Sequence, residues 1–261
     1  MTTTNEQEKT PKAPNQSIDV QSISRAAAIL EAIGESSKGI SLSQIALITG
    51  LSRSTVHRIV VALSRQEFVR TARDGYKLGP ALLRLASLNR SSFEIDAHPF
   101  LVQLSLELRE TVDLSAMTGQ TITFVDQVIA QRRLRAVSGI GTTFPLYCTA
   151  PGKAILAAME PSAAKALLPA HLERLTPSTP TTWSALEEEF ETIRKTGIAF
   201  DREEHTLGIC AVGKAIRTKN DHWFAVSVPL PSQRFYEQEQ RLAEALTKSV
   251  ESIIDATEAS G

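Results

Sequence analysis

Four polar side chains on one predicted helix have the chemistry to contact a nucleic acid. Arg53, Ser54, His57 and Arg58 share one face of this helix. The apolar side chains on the opposite face recur at helical spacing: Val56, Ile59, Val60 and Leu63. Guanidinium groups pair with guanine edges or phosphates, and hydroxyl groups contact phosphates. The pattern therefore predicts a helix that buries one face and presents a DNA-contacting surface on the other.

The residues before this helix predict a helix-turn-helix motif. A short amphipathic helix fits residues 42–48, and Gly50 suits the positive φ at which such a helix ends. Ser52 can then cap the second helix. The alternative is an ordinary αα-hairpin in a core, which has no reason to present four polar side chains together. The predicted DNA-contacting residues of the motif are Ser41, Ser52, Arg53, Ser54, Thr55, His57 and Arg58.

A predicted β-hairpin follows the motif. Residues 68–70 and 76–78 have the composition of short strands, and Asp74-Gly75 between them is a strong turn signal. Together with an earlier helix over residues 22–33, this pattern predicts a winged helix-turn-helix. In that arrangement the second helix of the motif enters the major groove, and Arg73 and Lys77 of the wing add backbone contacts.

Charge is segregated along the chain. The 261 residues carry a formal net charge of −1, yet residues 20–90 contain ten Lys and Arg against four Asp and Glu. A basic N-terminal third joined to an acidic remainder is typical of a DNA-binding module attached to another domain. No apolar run is long enough to cross a bilayer, and the first residues lack a secretory signal. Two cysteines fit a reducing compartment, so we expect a cytoplasmic protein without membrane partners.

The sequence predicts an α+β protein of two domains. A polar, disordered tail is expected for residues 1–19, the winged helix-turn-helix for 20–79, a linker helix for 80–92 and a second domain for 93–258. The leucines of the linker helix suit either a dimer contact or a core. Further strands are predicted at 114–117, 121–128, 134–137, 198–201, 209–217 and 223–228. We expect Ser162 to cap one helix, and Ser184 with Glu187 to form a capping box for another.

These segments, in this order, resemble the IclR family of bacterial transcriptional regulators over nearly the whole predicted ordered length. Residues 22–26 are similar to the opening helix of that family, 50–58 to its recognition helix and 76–80 to the segment leaving its wing. Further similar segments are residues 149–157, 197–201, 203–204, 207–208 and 227–231. The resemblance implies a GAF-like effector-binding domain, regulation by a small metabolite, and a dimer or dimer of dimers that reads an inverted repeat in operator DNA.

The resemblance also implies an effector pocket. Carried over position by position, its lining is Leu114, Met117, Thr149, Ala150, Gly152, Asp201, Ile209, Ala211, Ser227 and Pro229. The predicted helix that begins near Thr149 would present unpaired N–H groups, which suit a carboxylate. Pro229 offers no donor, and Cys210 should point away because strand side chains alternate. We therefore expect a less polar cavity than in members with two hydroxyls, and a small organic acid as effector.

Other classes of function leave fewer signals. An enzyme with an appended winged helix would need a phosphate loop, a metal cluster or an activated nucleophile, and residues 90–261 contain no such motif. We expect no catalytic residue, cofactor or metal. A redox sensor would use Cys148 and Cys210, although a buried structural role suits Cys148 better. His205 is interpreted as a solvated loop residue. Lys153 suits either anion binding or an exposed helix surface, and Gly139 to Gly141 a loop over the pocket.

Overall fold

The chain folds into two compact units, one ending at Arg90 and the other beginning at Ser91. A computed structural model describes residues 19–36, 38–89 and 91–259. Except for its last residue, which begins the first helix, the predicted tail over residues 1–19 lies outside the described residues. The predicted linker segment 80–92 is divided. Its helix belongs to the first unit, and Ser92 begins a helix of the second.

The first unit is a winged helix-turn-helix. Its elements are α1 (Asp19–Gly34), α2 (Leu42–Thr49), α3 (Arg53–Arg65), β1 (Val69–Ala72), β2 (Gly75–Leu78) and α4 (Pro80–Asn89). Gly50 has a φ of 67°, and the helix axis turns by 111° between α2 and α3. Ile29, Ile45 and Val56 are fully buried between the three helices. The antiparallel pairing of β1 with β2 forms the predicted wing.

The second unit is built on one six-stranded antiparallel sheet. Its strands are β3 (Val112–Thr118), β4 (Thr121–Val128), β5 (Thr143–Pro145), β6 (Ala199–Arg202), β7 (Ile209–Arg217) and β8 (Trp223–Pro231). Their order across the sheet is β5-β4-β3-β8-β7-β6. The helices are α5 (Ser92–Leu108), α6 (Ala150–Ala158), α7 (Pro161–Leu167), α8 (Trp183–Thr196), α9 (Ser232–Phe235) and α10 (Glu239–Ala259). The predicted α+β class and GAF-like sheet domain are confirmed.

Two hydrophobic cores lie on opposite faces of this sheet. Leu104 of α5 and Leu246 of α10 pack with Val212 and Val226 on one face. Ile155 of α6 and Phe190 of α8 pack with the opposite face. Because successive strand residues point to opposite faces, each central strand supplies both cores. A polar side chain that points to the α6 face can therefore be next in sequence to a valine that is buried in the opposite core.

Several predicted boundaries of the second unit are wrong. Residues 134–137 form an irregular loop instead of a strand, and β5, which pairs with β4, was missed. Glu160, not Ser162, precedes α7, and Thr182, whose side chain accepts a hydrogen bond from the Ala185 N–H, caps α8 in place of Ser184. A short run of apolar residues does not distinguish a strand from a loop whose side chains are folded onto the domain.

No single helix among the described residues is long and apolar enough to cross a membrane. Helices α2 and α3 meet the criterion only as a sharply bent pair, and only by length and composition. Their apolar residues Ile45, Val56 and Val60 are fully buried in the core of the first unit. The apolar character of this pair is thus explained by packing within that unit.

Helix α6 packs against the sheet at a glycine of β7. A Cβ added to Gly213 would lie 2.7 Å from the carbonyl carbon of Ala150 and 2.8 Å from the nitrogen of Pro151. Real Cβ atoms essentially never come this close to backbone atoms. The first turn of α6 is therefore held at a distance from the sheet that only glycine permits at this position.

Replacing Gly213 with alanine should destabilise the second unit. The added methyl group must push the first turn of α6 off β7, and overpacking of this kind costs about 1–3 kcal/mol. Urea unfolding of the full chain, followed by tryptophan fluorescence, measures the change, since both tryptophans lie in this unit. Gly34→Ala is the control, because its added Cβ meets only the side chain of Leu78 at 3.4 Å. Equal midpoints for the two variants would contradict the expectation.

Candidate nucleic-acid interface and small-molecule cavity

The start of α3 is fixed by a side-chain cap. Ser52 is in an extended conformation, and its Oγ accepts a hydrogen bond of 3.2 Å from the Thr55 backbone N–H. The hydroxyls of Ser54 and Thr55 lie 3.0 and 2.9 Å from the same Oγ. Three predicted DNA-contacting hydroxyls thus form one cluster at the N-terminus of α3, where backbone N–H groups attract phosphate.

The polar face of α3 is exposed as the sequence predicts. Arg53, Ser54, His57 and Arg58 are exposed, whereas Val56 between them is fully buried. Ser41 lies at the start of α2, where it forms a capping box with Gln44. Its hydroxyl lies 2.8 Å from the Gln44 side-chain oxygen. The structure therefore gives Ser41 a helix-capping role, and its DNA contact stays a prediction.

The wing adds basic side chains to the first unit. Arg73 is exposed at the turn between β1 and β2, and Lys77 is half-buried in β2. Arg70, which the sequence analysis did not select, is exposed and lies opposite Lys77 in the hairpin register. Directly opposed strand residues share a face, so the alternation of the hairpin could have identified Arg70. The three cations suit contacts to a phosphate backbone.

A cavity of about 280 Å³ lies in the second unit, between the sheet and the first turn of α6. Its lining combines polar groups from three strands, two loops and the N-terminus of α6 with the rings of two phenylalanines. The residues are Asp113, Phe124, Arg135, Ala136, Val137, Ser138, Phe144, Thr149, Ala150, Pro151, Asp201, His205, Thr206, Ile209, Ala211, Ser227 and Pro229. A concave site with a few convergent polar groups on an apolar wall is typical of small-molecule binding.

The structure brings seven of the ten predicted effector-binding residues to this cavity: Thr149, Ala150, Asp201, Ile209, Ala211, Ser227 and Pro229. The other three do not line it. Leu114 is fully buried in the core on the opposite face of the sheet, and Met117 packs against the α6-side core. Gly152 is held against the backbone of Leu146, where a Cβ would overlap it. Its role in the structure is close packing rather than cavity lining.

Alternation along β7 places Ala211 at the cavity and Cys210 in the opposite core. This is the arrangement expected from strand geometry. Both cysteines are fully buried, and burial raises the pKa of Cys210 to about 11 and that of Cys148 to about 12. Thiols of this kind stay protonated at neutral pH and are poor nucleophiles. The geometry therefore argues against both the redox sensor and a catalytic cysteine.

A β-bulge in β4 places Gln127 opposite Asp113, a residue of the cavity lining. In the pairing of β3 with β4, Leu114 lies opposite Asp126 but Ser115 lies opposite Phe124, so one residue of β4 is extra. The bulge brings Phe124 and Gln127 to the same face. Gln127 donates a 2.6 Å hydrogen bond to Asp113, and the hydroxyl of Ser138 donates another of 2.7 Å. Asp113, missed by the sequence analysis, is thus tied to the loop over the cavity.

Asp201 reaches the opposite side of the cavity from β6. Its Oδ1 accepts a 2.7 Å hydrogen bond from the Glu204 N–H. Burial, and then the like charge of Glu204, raise the pKa of Asp201 to about 7. Burial raises the pKa of Asp113 to about 6, against the lowering effect of its hydrogen bonds from Ser138 and Gln127. At neutral pH the carboxyl group of Asp201 therefore retains its proton in part, whereas that of Asp113 is mostly ionised.

Lys153 is neither exposed nor in the cavity. Its side chain is fully buried, and its Nζ lies 2.6 Å from Glu204 and 2.5 Å from Glu189 of α8. Lys153 is thus neither an anion-binding group of the cavity nor a surface lysine. It forms a buried ion triplet with the two glutamates. No signal in the sequence identifies its glutamate partners, which lie 36 and 51 residues away.

The cavity has one cationic side chain and one stacked aromatic pair in its lining. Arg135 lies on the exposed side, in the loop that precedes β5. His205 stacks on Phe144 with ring centroids 3.9 Å apart, so it is part of the cavity wall rather than a solvated residue. Burial lowers the pKa of His205. Thr149 caps α6 by accepting from the Gly152 N–H, which directs the positive end of that helix toward the cavity.

Two other features offer less for ligand binding. A larger groove of about 780 Å³ lies along α8, β6 and α10, but it contains none of the predicted effector-binding residues. Within the described parts of the chain, no group of three or more His, Cys, Asp or Glu side chains could hold a metal ion. The 280 Å³ cavity is therefore the candidate small-molecule site.

A winged helix-turn-helix with an exposed basic recognition helix, joined to a sheet domain with a small-molecule cavity, defines a class of DNA-binding transcriptional regulator. Comparison with known proteins agrees. The IclR helix-turn-helix domain matches residues 22–73, and the C-terminal domain of the bacterial transcriptional regulator IclR matches residues 85–255. The chain belongs to the IclR family of transcriptional regulators.

Individual relatives align over most of the chain. An HTH-type transcriptional regulator of Mycobacterium tuberculosis is 48% identical, covering 87% of this chain and 88% of its own length. The crystal structure of the Thermotoga maritima IclR has a TM-score of 0.77 at 31% identity, covering 90% of this chain and 97% of that one. A Microbacterium hydrocarbonoxydans IclR homologue, complexed with 4-hydroxybenzoate, has the same fold at 21% identity, with a TM-score of 0.74 and coverage of 91% and 99%. The matching family models and the Mycobacterium tuberculosis relative are named as transcriptional regulators, in agreement with the expectation that the chain is not an enzyme.

Asp113→Asn should flatten the dependence of stability on pH. Because the pKa of Asp113 rises from 3.8 to about 6 on folding, the folded chain holds a proton that the unfolded chain releases. Stability should therefore fall as pH rises from 4 to 6 and level off above, by about 3 kcal/mol for this group. Urea midpoints at pH 4, 5, 6 and 7 measure the slope, with the exposed Asp255→Asn as control. An unchanged slope in Asp113→Asn would contradict the assignment.

Proposed function

We propose that this protein binds operator DNA through α3 and releases or tightens that DNA when a small organic acid occupies the cavity of the second unit. The DNA-binding part of this proposal rests on the polar surface at the start of α3. Arg53 and Arg58 extend from a helix whose buried side is anchored by Val56 and Val60. A helix presented in this way fits the major groove, where guanidinium groups read guanine edges.

We further propose a dimer, or a dimer of dimers, that reads an inverted repeat. Helix α4 supports this, since Leu83, Leu85 and Leu88 are exposed by 76%, 53% and 81%. Apolar side chains gathered on one helix favour an interface with a second copy. A two-fold symmetric protein contacts two half-sites of opposite orientation, so the operator should have matching symmetry.

An acid effector is supported by the donors around the cavity. The N-terminus of α6 faces the cavity through Ala150, and Arg135 supplies a guanidinium group at its exposed side. Both favour a carboxylate. The rings of Phe124 and Phe144 suit an aromatic or aliphatic body. The structural relative complexed with 4-hydroxybenzoate holds a ligand of this chemical class.

Effector and DNA binding are then linked reciprocally. If the acid changes operator affinity by a given factor, operator DNA changes the affinity for the acid by the same factor. The same effector can therefore be identified from either side of the linkage, by its effect on DNA binding or by the effect of DNA on its own binding.

Arg53→Ala should weaken binding to the DNA upstream of the protein's own gene by about 1–3 kcal/mol if Arg53 reads a base. Nuclease footprinting on that upstream DNA first locates the bound site, and gel-shift titrations then measure affinity for this site, for one isolated half-site and for random DNA. The half-site should bind more weakly than the full site if a dimer reads both halves. Arg65→Ala is the matched control, because it removes the same charge from an exposed position in the last turn of α3. Equal losses on specific and random DNA would show that Arg53 contacts only phosphate.

One of the small acids benzoate, 4-hydroxybenzoate, propionate or pyruvate should change operator affinity. The reason is the pairing of a carboxylate with Arg135 and the first turn of α6 described above. Gel shifts with each acid, and with glucose as a neutral comparison, measure the effect. Binding of neutral sugars alone would contradict an acid effector while leaving the DNA-binding proposal unaffected.

A further inference from the structure

The cavity wall carries more negative than positive charge. Behind it, the single ammonium group of Lys153 is shared by Glu204 and Glu189, at 2.6 and 2.5 Å. Asp201 accepts hydrogen bonds from the backbone N–H groups of Glu204 and His205. Among the described residues, no Lys or Arg forms an ion pair with Asp201. Its carboxyl group therefore faces the cavity with a like charge behind it.

Asp113 adds a second carboxyl group on the other side of the same cavity. Its two oxygens accept hydrogen bonds from neutral donors, Gln127 and Ser138. A carboxylate that enters the cavity brings a further negative charge into a space that both aspartates line. Arg135 is the only cationic side chain in the lining of the described structure, and it lies on the exposed side. Arg135 balances the charge of one carboxylate, whereas a bound carboxylate, Asp113 and an ionised Asp201 would together carry three.

We propose that the cavity takes up a monocarboxylate together with one proton, with Asp201 as the group that carries the proton and donates it in a hydrogen bond to the ligand, and that dianions are rejected. This inference rests on the proposed acid effector and adds the ligand's charge and the role of Asp201. No covalent bond is made or broken apart from the protonation of the Asp201 carboxylate, whose proton comes from solvent.

The neighbours of Asp201 favour it over Asp113 as the proton carrier. Glu204 of the β6–β7 loop lies next to Asp201, and Lys153 of α6 is engaged with Glu204 and Glu189. His205 faces the site as a neutral ring, because burial lowers its pKa. Cys148, in the segment leading into α6, stays protonated, its pKa being raised to about 12. Asp113 has only hydrogen-bond donors as close partners, and these favour its charged form.

The selectivity for monocarboxylates over dianions follows from the same balance between the charges of the ligand and of the cavity lining. A monocarboxylate needs one neutralised partner in the cavity, which Asp201 supplies by taking a proton. A second negative charge on the ligand would need a second proton or a second cation, and the lining offers neither at neutral pH. Dicarboxylates and phosphorylated compounds of similar size should therefore bind much more weakly than monocarboxylates.

The test is a calorimetric titration of the full-length protein with benzoate, 4-hydroxybenzoate, propionate and pyruvate at pH 6 and pH 8. For the acid that binds best, Kd should rise about tenfold from pH 6 to pH 8, since the pKa of Asp201 is about 7. At pH 8, titrations in Tris and HEPES buffers, which differ in ionisation enthalpy, should give close to one proton taken up per ligand. Terephthalate should bind at least tenfold more weakly than 4-carbamoylbenzoate, an isosteric monoanion.

Asp201→Asn should separate proton uptake from binding. The amide oxygen can still accept from the Glu204 N–H, and the amide NH₂ is a permanent donor toward the ligand. Proton uptake should fall to near zero, and Kd should change less than twofold between pH 6 and pH 8. Asp255→Asn, an exposed change on α10, should keep the wild-type profile.

The results of these titrations distinguish a failure of the proton-uptake inference from a failure of the proposed acid effector. Binding of an acid with no proton uptake by the wild-type protein overturns the inference and leaves the acid effector in place. This measurement needs no variant, so it stands even if Asp201→Asn fails to fold. Loss of proton uptake in Asp113→Asn but not in Asp201→Asn overturns the assignment to Asp201. Absence of binding by every acid at both pH values overturns the acid effector and the inference together.

Discussion

The architecture of the second unit depends on one buried cation. Lys153 joins α6, which borders the cavity, to Glu189 of α8 and to Glu204 of the loop after β6. Glu204 in turn donates its backbone N–H to Asp201. Removing one partner of a buried ion pair leaves an uncompensated charge, at a cost of roughly 3–5 kcal/mol. The ammonium group of Lys153 thus fixes both the position of the Asp201 carboxyl group and the position of α6, which faces it across the cavity.

The first unit could be predicted from sequence almost in full because its contacts are local. Gly50 and Ser52 fix the turn and the cap within a few residues of the helices they join, and the apolar period of α3 identifies its buried face. The wing turn at Asp74-Gly75 is equally local. Where a strand pairs with a partner far along the chain, the local sequence pattern predicts it less well. The pattern does not predict β5, and it wrongly predicts a strand at residues 134–137.

Asp113 and the ion partners of Lys153 could not be predicted from sequence, for a physical reason. A carboxyl group in a strand buried on both faces contradicts hydropathy patterning, so Asp113 gives no signal, and the adjacent Leu114 was assigned to the cavity instead. The bulge that aligns Gln127 with Asp113 changes the alternation of β4 by one residue. Lys153 pairs with glutamates that only the tertiary fold brings to it. Seven of the ten positions identified from the family resemblance line the cavity, but the charged partners of the cavity are visible only in the fold.

The pairing of β3 with β8 also determines when each unit can form during synthesis. Asp113 meets Ser227 across the sheet, and α5, the first helix of the second unit, packs against α10, its last. Contacts of such sequence separation form slowly and only after both partners have left the ribosome. The first unit, with its short-range contacts, can fold while the sheet domain is still being translated. A nascent chain can therefore carry a folded winged helix-turn-helix before the sheet domain is complete.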